Sequence, residues 1–296
     1  MSTKRRELVV VRPGSLTTVQ DEGRPGHAHL AIPPSGVLDV PAWRLANRLV
    51  GNTPGMAALE TTLTGAALRA RTACMVAVTG ALAPVAVDGR PGGWGVAVFL
   101  RAGQVLDVGT ATAGVRSYIA VSGGIAVPAS FGSRSADLLS GLGPAPLAED
   151  MILPLGPVTG IPSAIDFAPY PLPPATLSLR VSLGPRQDWL TGDGMQALTT
   201  QSWTVSTISN RIALRLDGPT LAHARSGELP SEGIVTGAVE VPPDGHPLIF
   251  LADHPTTGGY PVVAVVEAED LSACAQARPG TPVRFRLDMP ARLARQ

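Results

Sequence analysis

Asp253, His254, Thr256, Thr257, Gly258, Gly259 and Tyr260 fall together in one stretch, ADHPTTGGYP. The threonine hydroxyls and glycine N–H groups can close on an anion or a carbonyl oxygen, as a glycine-rich nest does. The same residues would also make a plain tight turn in a hairpin. A second group, Gly132-Ser133-Arg134-Ser135, sets a guanidinium between two hydroxyls just ahead of what reads as a short helix. That pattern suits a carboxylate or phosphate clamp, or equally a helix cap with a surface arginine. A third segment, TVQDEGRPGHAHLAIPPSGVLD, crowds Gln20, Asp21, Arg24, His27, His29, Ser35 and Asp39 among Gly and Pro with no period. Such a loop either binds something or is a solvated connection that pairs its own charges. Glu60, in the apolar run ALETTL, needs a partner if buried, and Arg24 is the candidate.

Several chemistries are excluded by what is missing. There is no G-x-S-x-G elbow, and the nearest serines, in VSGG and FGSRS, lack its pattern. The five histidines form no H-E-x-x-H pair. His27 and His29 on an extended segment would point the same way, but no third metal ligand is evident, so no metal site is assigned. Lys4 is the only lysine, which removes a Walker-type phosphate loop, a Schiff-base lysine and a biotinyl-lysine carrier from this chain. Lys plus Arg and Asp plus Glu both total 23, so composition points to neither a nucleic acid nor a membrane surface as partner. The longest apolar runs are strand-sized, and no apolar signal core follows MSTKRREL; a cytoplasmic location is expected. Cys74 and Cys274 lie one in each half without metal-type pairing, and Cys74, in ACMVAV, reads as a small buried apolar residue.

The elements that must position these groups are mostly strands. Val-rich runs of four to seven residues alternate with turn signals, and Gly (33) and Pro (29) are abundant, which favours a sheet-dominated fold with tight connections. ELVVVR, ALETTL, AALRA, CMVAVTGA, PVAVDG, VAVFL, QVLDV and SYIAVSGGIAV read as strands of a first half. Between them one helix is expected, with Asp39 as N-cap, Pro41 in its first turn, and Trp43, Ala46, Leu49 and Val50 on one face. Gly51-Asn52 ends it as a left-handed cap would. In the second half SLRVSLG, SWTVSTISNRIALRLDG, GIVTGAVEV, PLIFLAD and VVAVV read as strands, with helix in GPRQDWLTGDGMQAL and EDLSACAQA.

The two halves echo one another. LTGAAL (63–68), VTGA (78–81), VDG (87–89) and RAGQVLDV (101–108) recur in the same order as LDGPTL (216–221), VTGA (235–238), PDG (243–245) and RPGTPVRF (278–285). The second half carries roughly twenty additional residues before its last echo, and these include DHPTTGGYP. The expected organisation is an N-terminal β half over 1–157, a Pro-rich linker over 158–176 and a C-terminal β half over 177–296.

The segments RPGSLTTVQDEGRPG, PPSGVLD, LANRLVGN, AALE, SYIAVSGGIAVP, FGSRSADL, LGPRQDW, SNRIALRLDG, GAVEVPPDGHPLIFLADHPTTGGYP and RPGTPVRF together resemble one family. It is named variously allophanate hydrolase subunit 2, the C subunit of 5-oxoprolinase and biotin-dependent carboxyltransferase. The resemblance spans nearly the whole chain, and Q-D-x-G-R, G-S-R-S and T-T-G-G-Y-P are its specific elements. This sequence departs from the family in having Glu240 for the usual Gln, His254-Pro255 for Arg-Gln, and PAPLAED after Gly143 where Gly-Arg and Gly-Asp signals are usual.

The resemblance implies a mostly β fold of two cyclophilin-like barrel halves in tandem. It implies a heteromer with a small-subunit homologue, of the type of allophanate hydrolase subunit 1 or the B subunit of 5-oxoprolinase, and a third, separate 5-oxoprolinase component. ATP with Mg2+, at a composite site, would drive opening of the lactam of 5-oxoproline to glutamate. On that basis Arg24, Ser133, Arg134 and residues Thr256–Tyr260 bind phosphates and the substrate carboxylate. Asp253 acts as a metal-bridging or acid–base carboxylate, and His254 and Asp39 complete the catalytic candidates. Two other readings belong to the same resemblance: carboxyl transfer with biotin carried on another protein, as in urea carboxylase, and a non-catalytic antagonist that binds a kinase-inhibitor homologue.

Overall fold

Runs of Val, Ala and Leu between Gly and Pro become strands almost throughout, and the fold is mostly β. The computed structural model describes residues 5–287 apart from Asp166 and Glu228; Lys4 lies outside the described residues. Two compact units are present, one running up to Arg24 and from Ser35 to Pro173, the other taking Pro25–Pro34 and the residues from Pro174 onward.

The first unit contains β1 (Glu7–Arg12), β2 (Thr17–Gln20), α1 (Val40–Leu49), β3 (Ala58–Thr62), β4 (Ala67–Ala70) and β5 (Cys74–Leu82). It continues with β6 (Val85–Val87), β7 (Arg90–Pro91), β8 (Ala97–Leu100), β9 (Val105–Val108), β10 (Ala113–Val121) and β11 (Ile152–Pro154). They form a six-stranded sheet, β11-β1-β4-β9-β6-β7, and a five-stranded sheet, β2-β3-β10-β5-β8. Leu8, Val10, Leu68 and Leu106 of the first sheet pack with Leu59, Val76, Ile119 and Val121 of the second. The alternate residues of the second sheet, Ala58, Ala77, Tyr118 and Ala120, pack on Trp43, Ala46 and Leu49 of α1. Both faces of that sheet are therefore covered, which explains why its strands read as unbroken apolar runs.

α1 has the ends the sequence predicts. Asp39 accepts the N–H of Ala42 at 3.1 Å, and Gly51 follows at φ +76°. A Cβ on Gly51 would stand 2.6 Å from the backbone of Ile161. The Pro-rich stretch lies against this unit: the Ser163 N–H donates to the Leu49 carbonyl (2.8 Å), that of Ala168 to Gly95 (3.0 Å), and Tyr170 Oη–H to the Asp39 carboxylate (2.7 Å). The helix expected after Gly132-Ser133-Arg134-Ser135 does not form. Asp137 instead accepts the N–H groups of Leu139 and Ser140 in a side-chain turn, an alternative that competes with helix at Asp. His27 and His29 are not on an extended segment either, because Ala28–Leu30 is a 3-10 turn closed by Ala31 at φ 58°.

The second unit contains β12 (Leu177–Leu183), α2 (Gly192–Thr200), β13 (Trp203–Val205), β14 (Ala213–Asp217), β15 (Glu232–Gly233) and β16 (Ala238–Glu240). β17 (Leu248–Phe250), β18 (Thr257–Gly258), β19 (Val262–Val266), α3 (Leu271–Ala275) and β20 (Pro282–Leu287) follow. Seven strands close a barrel, β12-β19-β16-β17-β14-β13-β20, and β15 and β18 pair as a separate ribbon. Leu177, Leu179 and Val181 of β12 are buried and the residues between them exposed, the period of a strand with one covered face. Trp203 and Phe285 meet in the core with ring centroids 5.7 Å apart.

The echo between the halves is partly structural. VDG turns β6 into β7 and PDG turns β16 into β17; RAG and RPG lead into β9 and β20. Both VTGA copies put their glycine in the left-handed region, Gly80 at φ 83° and Gly237 at φ 87°, the first inside β5 and the second in a turn. GIVTGAVEV, expected as one strand, is consequently split into β15 and β16.

Candidate functional site

In the first unit the polar residues of the N-terminal loop and of Gly132–Ser135 converge on Asp21, at the end of β2. Its Oδ1 accepts the hydroxyls of Ser133 and Ser135 and the N–H of Gly23, and its Oδ2 accepts the N–H of Arg134 at 2.6 Å. The Asp21 N–H in turn donates to Ser135 Oγ (2.9 Å). Ser133 thus spends its one hydroxyl proton on Asp21. Arg134 Nε donates to the Val127 carbonyl at 2.9 Å. Arg24 is buried, 1% exposed, donating through Nη2 to the Ser135 carbonyl. Its Nη1 has no hydrogen-bond partner, and no carboxylate pairs with it among the described residues. A guanidinium so placed presents unused donors to any carboxylate or phosphate that reaches it.

Glu60 is not the partner of Arg24. Its Oε1 faces Arg116 Nε at 3.7 Å, both side chains being buried, and its Oε2 accepts Tyr118 Oη–H at 2.8 Å and the Leu38 N–H at 3.1 Å. Asp39 belongs to this separate network: its N–H donates to Tyr118 Oη, and its carboxylate caps α1 and accepts Tyr170 Oη–H. Burial, then the nearby carboxylates, raises the pKa of both phenols, so both stay protonated donors. Asp39 is wholly buried and serves here as a cap.

In the second unit Asp253 forms a buried two-point pair with Arg211, Nε–Oδ2 2.8 Å and Nη2–Oδ1 2.9 Å. The Asp253 N–H donates to the Arg211 carbonyl, so the pair bolts the chain after β17 to the approach of β14. His254 is 3% exposed, its ring set against Phe250 and its Nδ1 2.7 Å from the Pro255 carbonyl. The Thr256 carbonyl accepts the Ile234 N–H at 3.0 Å, and Thr257 and Gly258 pair with Gly233 and Glu232. Thr257 and Gly258 are therefore one strand of a two-stranded ribbon, and Gly259 and Tyr260 bend away from its end. Glu232 is held by Arg186, Nε–Oε2 2.9 Å.

Where the ribbon leaves β18, Gly259, Tyr260 and Pro261 form one wall of a cleft of about 310 Å³. Trp189, His223, Arg225 and Pro243 form the others. Tyr260 is half-exposed, Arg225 pairs with Asp188 at 2.7 Å, and His223 Nε2 lies 3.0 Å from the Pro242 carbonyl. Two aromatic faces, a cation and glycine N–H groups suit a small planar ligand with anionic or carbonyl character.

The sequence candidates thus fall into two sets. Arg24, Ser133 and Arg134 share the Asp21 hub, with Asp39 in its own network; Asp253, His254 and Thr256–Tyr260 lie in the second unit. Arg211, Trp189, His223 and Arg225 were missed by sequence reasoning. The one local signal for Arg211 is a lone arginine entering the apolar run IALRL; the cleft walls come from segments with no shared motif.

The model for the carboxyltransferase domain, subdomain A and B, matches residues 30–287. The chain belongs to the carboxyltransferase-domain family. Within that family it is 36% identical to the 5-oxoprolinase C subunit of Escherichia coli, over 94% of this chain and 90% of that one. It is 32% identical to urea amidolyase of Saccharomyces cerevisiae, over 94% of this chain but 16% of that protein. Among solved structures, the crystal structure of TTHA0988 superposes with a TM-score of 0.87 at 35% identity, covering 96% of this chain and 56% of that one. The Kluyveromyces lactis urea carboxylase superposes with a TM-score of 0.86 at 31% identity, over 96% of this chain and 28% of that one. The chain therefore spans about half, or less, of the solved chains it matches. Among the described residues no helix is long and apolar enough to cross a membrane.

Proposed function

We propose that the chain is one component of an ATP-dependent 5-oxoprolinase that opens the lactam of 5-oxoproline to glutamate, acting in a heteromer with a small-subunit homologue and a third component. The observation that carries this reading is the match to the 5-oxoprolinase C subunit along almost the full length of both chains, 94% and 90%.

A lactam is a poor electrophile, and ATP supplies a phosphoryl group that turns its oxygen into a leaving group. The residues present fit anionic groups of that kind. Arg24 offers an unpartnered buried Nη1, and Arg134 sits beside the same hub. Mg2+ would arrive with the nucleotide phosphates, which together with water supply most of its oxygen ligands. Ser133 donates its hydroxyl to Asp21 and accepts the Ser135 N–H, so it orients the neighbouring groups of the hub. In the second unit, Gly259 and the half-exposed Tyr260 ring line the cleft and contribute a backbone N–H and an aromatic face to its ligand, with Thr257 and Gly258 holding that wall in the ribbon. Asp253, with both oxygens on Arg211, contributes by fixing the strand that leads to this wall rather than as an acid or base. His254 packs beneath the same strand.

The test is glutamate formation from 5-oxoproline and ATP by the chain co-purified with its small-subunit homologue and supplied with the third component. Product that requires all three supports the reading. The carboxyltransferase family model and the match to urea amidolyases favour a second one, carboxyl transfer from carboxybiotin carried on another protein. Carboxylation of urea by the same complex, without glutamate formation, would select it. A stable complex with neither activity would favour a binding role.

A further inference from the structure

The β15–β18 ribbon rests on the outer face of the barrel. Val239, Ile249, Leu214 and Ala264 stand opposite one another across β16, β17, β14 and β19 and are fully buried, which marks the inner face. The alternate row, Glu240, Leu248 and Arg215, with Val262 on the other side, faces outward, and Arg215 is exposed. Ile234, next to β15, covers this outer face, packing with Ala213, Ala238, Leu248 and Phe250. Within the apolar patch lies one carboxylate. Glu240 is 4% exposed and accepts the N–H of Tyr260. A Cβ on Gly258 would stand 3.0 Å from its Oε1, so the β18 strand lies directly over it.

We propose that Glu240 is a positioning residue that couples the seating of the Thr257–Tyr260 strand to a proton. With the carboxyl neutral, the strand lies closed on the apolar patch; with the carboxylate formed, water is drawn in and the strand loosens. The physical reason is the environment. Burial among apolar side chains disfavours the charge and raises the pKa from 4.5 to about 7, against the smaller opposing effects of the Tyr260 N–H and Arg215. A strand lifted into water returns Glu240 to the ordinary carboxylic-acid range, so proton binding favours the closed strand.

The neighbouring elements supply little else that is charged. β17 and β19 bring Leu248 and Val262 against it, and β14 brings Arg215. On β15 the carboxylate of Glu232 is held by Arg186, and β18 is followed by the Tyr260 phenol. His246 and His254 flank β17, the first with its N–H on Asp244, the second packed on Phe250. That the coupling reaches ligand affinity rests on the reading of this strand as a cleft wall; the coupling itself does not.

The test is amide hydrogen exchange of Thr257–Tyr260 in the full chain from pH 5.5 to 8.5, corrected for the intrinsic pH dependence of exchange. Protection should fall at least about tenfold, one unit of proton linkage, as pH rises from 5.5 to about 7 and level off above it, because the open strand ionises from 4.5 upward while the closed one holds its proton to about 7; Glu240→Gln should remove this fall. Flat protection in the wild type, or the same fall in Glu240→Gln, would overturn the proposal. Should that variant fail to fold, the carboxyl 13C resonance of Glu240 in the wild type decides alone. A midpoint near 7 supports the coupling, and an ordinary value near 4.5 refutes it. Neither readout uses turnover, so a complex without lactam-opening activity leaves the result standing.

Discussion

Arg24 enters the interior with one guanidinium nitrogen unbonded and no carboxylate in ion-pair contact among the described residues, and a buried cation so placed is costly unless something else repays it. Replacement by an apolar residue of similar length should therefore leave stability unchanged or raise it. Arg24→Met is expected to melt at or above the wild-type temperature while turnover in the complex falls at least about a hundredfold, the scale of a lost charge-assisted contact in a water-excluded site. Loss of both together would make Arg24 a structural residue. Asp253 behaves oppositely, because its removal strands Arg211. Asp253→Ala should cost about 3–5 kcal/mol by denaturant titration, and converting both partners to apolar residues should recover much of it. An Asp253→Ala protein of wild-type stability would contradict the pairing. Asp39 was legible as a cap because Pro41 and the apolar helical face follow it within one turn. Arg211 was not, since its partner lies 42 positions along the chain and nothing local announces the contact.

Elements whose signals are local came through, and those decided by tertiary context did not. α1 was readable at both ends, whereas the segment after Ser135 offered Asp137 a turn that competes with helix. GIVTGAVEV has strand composition, yet Gly237 at φ 87° breaks it and frees Glu232–Gly233 to pair with β18 instead. Residues 158–173 have linker composition but are fixed by backbone bonds to Leu49 and Gly95. Gly51 is the place to test that packing. An alanine there would hold an unfavourable positive φ and press on the Ile161 backbone. Gly51→Ala should cost about 1–3 kcal/mol and open 158–165 to limited proteolysis, with the wild type resistant there. Equal cleavage of the two proteins would show that the stretch is not held in this way.

At the scale of the whole chain, composition and punctuation were enough for a mostly β fold, and the short echoes fall at turns, VDG with PDG and RAG with RPG. They did not carry the difference in closure, seven strands in a barrel in one unit and two sheets in the other, because closure depends on strand partners chosen across long sequence distances. The same limit holds for function. The proposed anion or carbonyl recognition by T-T-G-G-Y-P and G-S-R-S rests on residue types alone. The family match places the chain among carboxyltransferase domains, and the choice of substrate is proposed to depend on the assembled complex. The most direct measurement is ADP release by the chain with its small-subunit homologue and the third component, with and without 5-oxoproline, alongside glutamate. ADP and glutamate rising together, only when the lactam and all three proteins are present, is the predicted result. ADP release indifferent to 5-oxoproline, or no glutamate from the fully assembled complex, would contradict it.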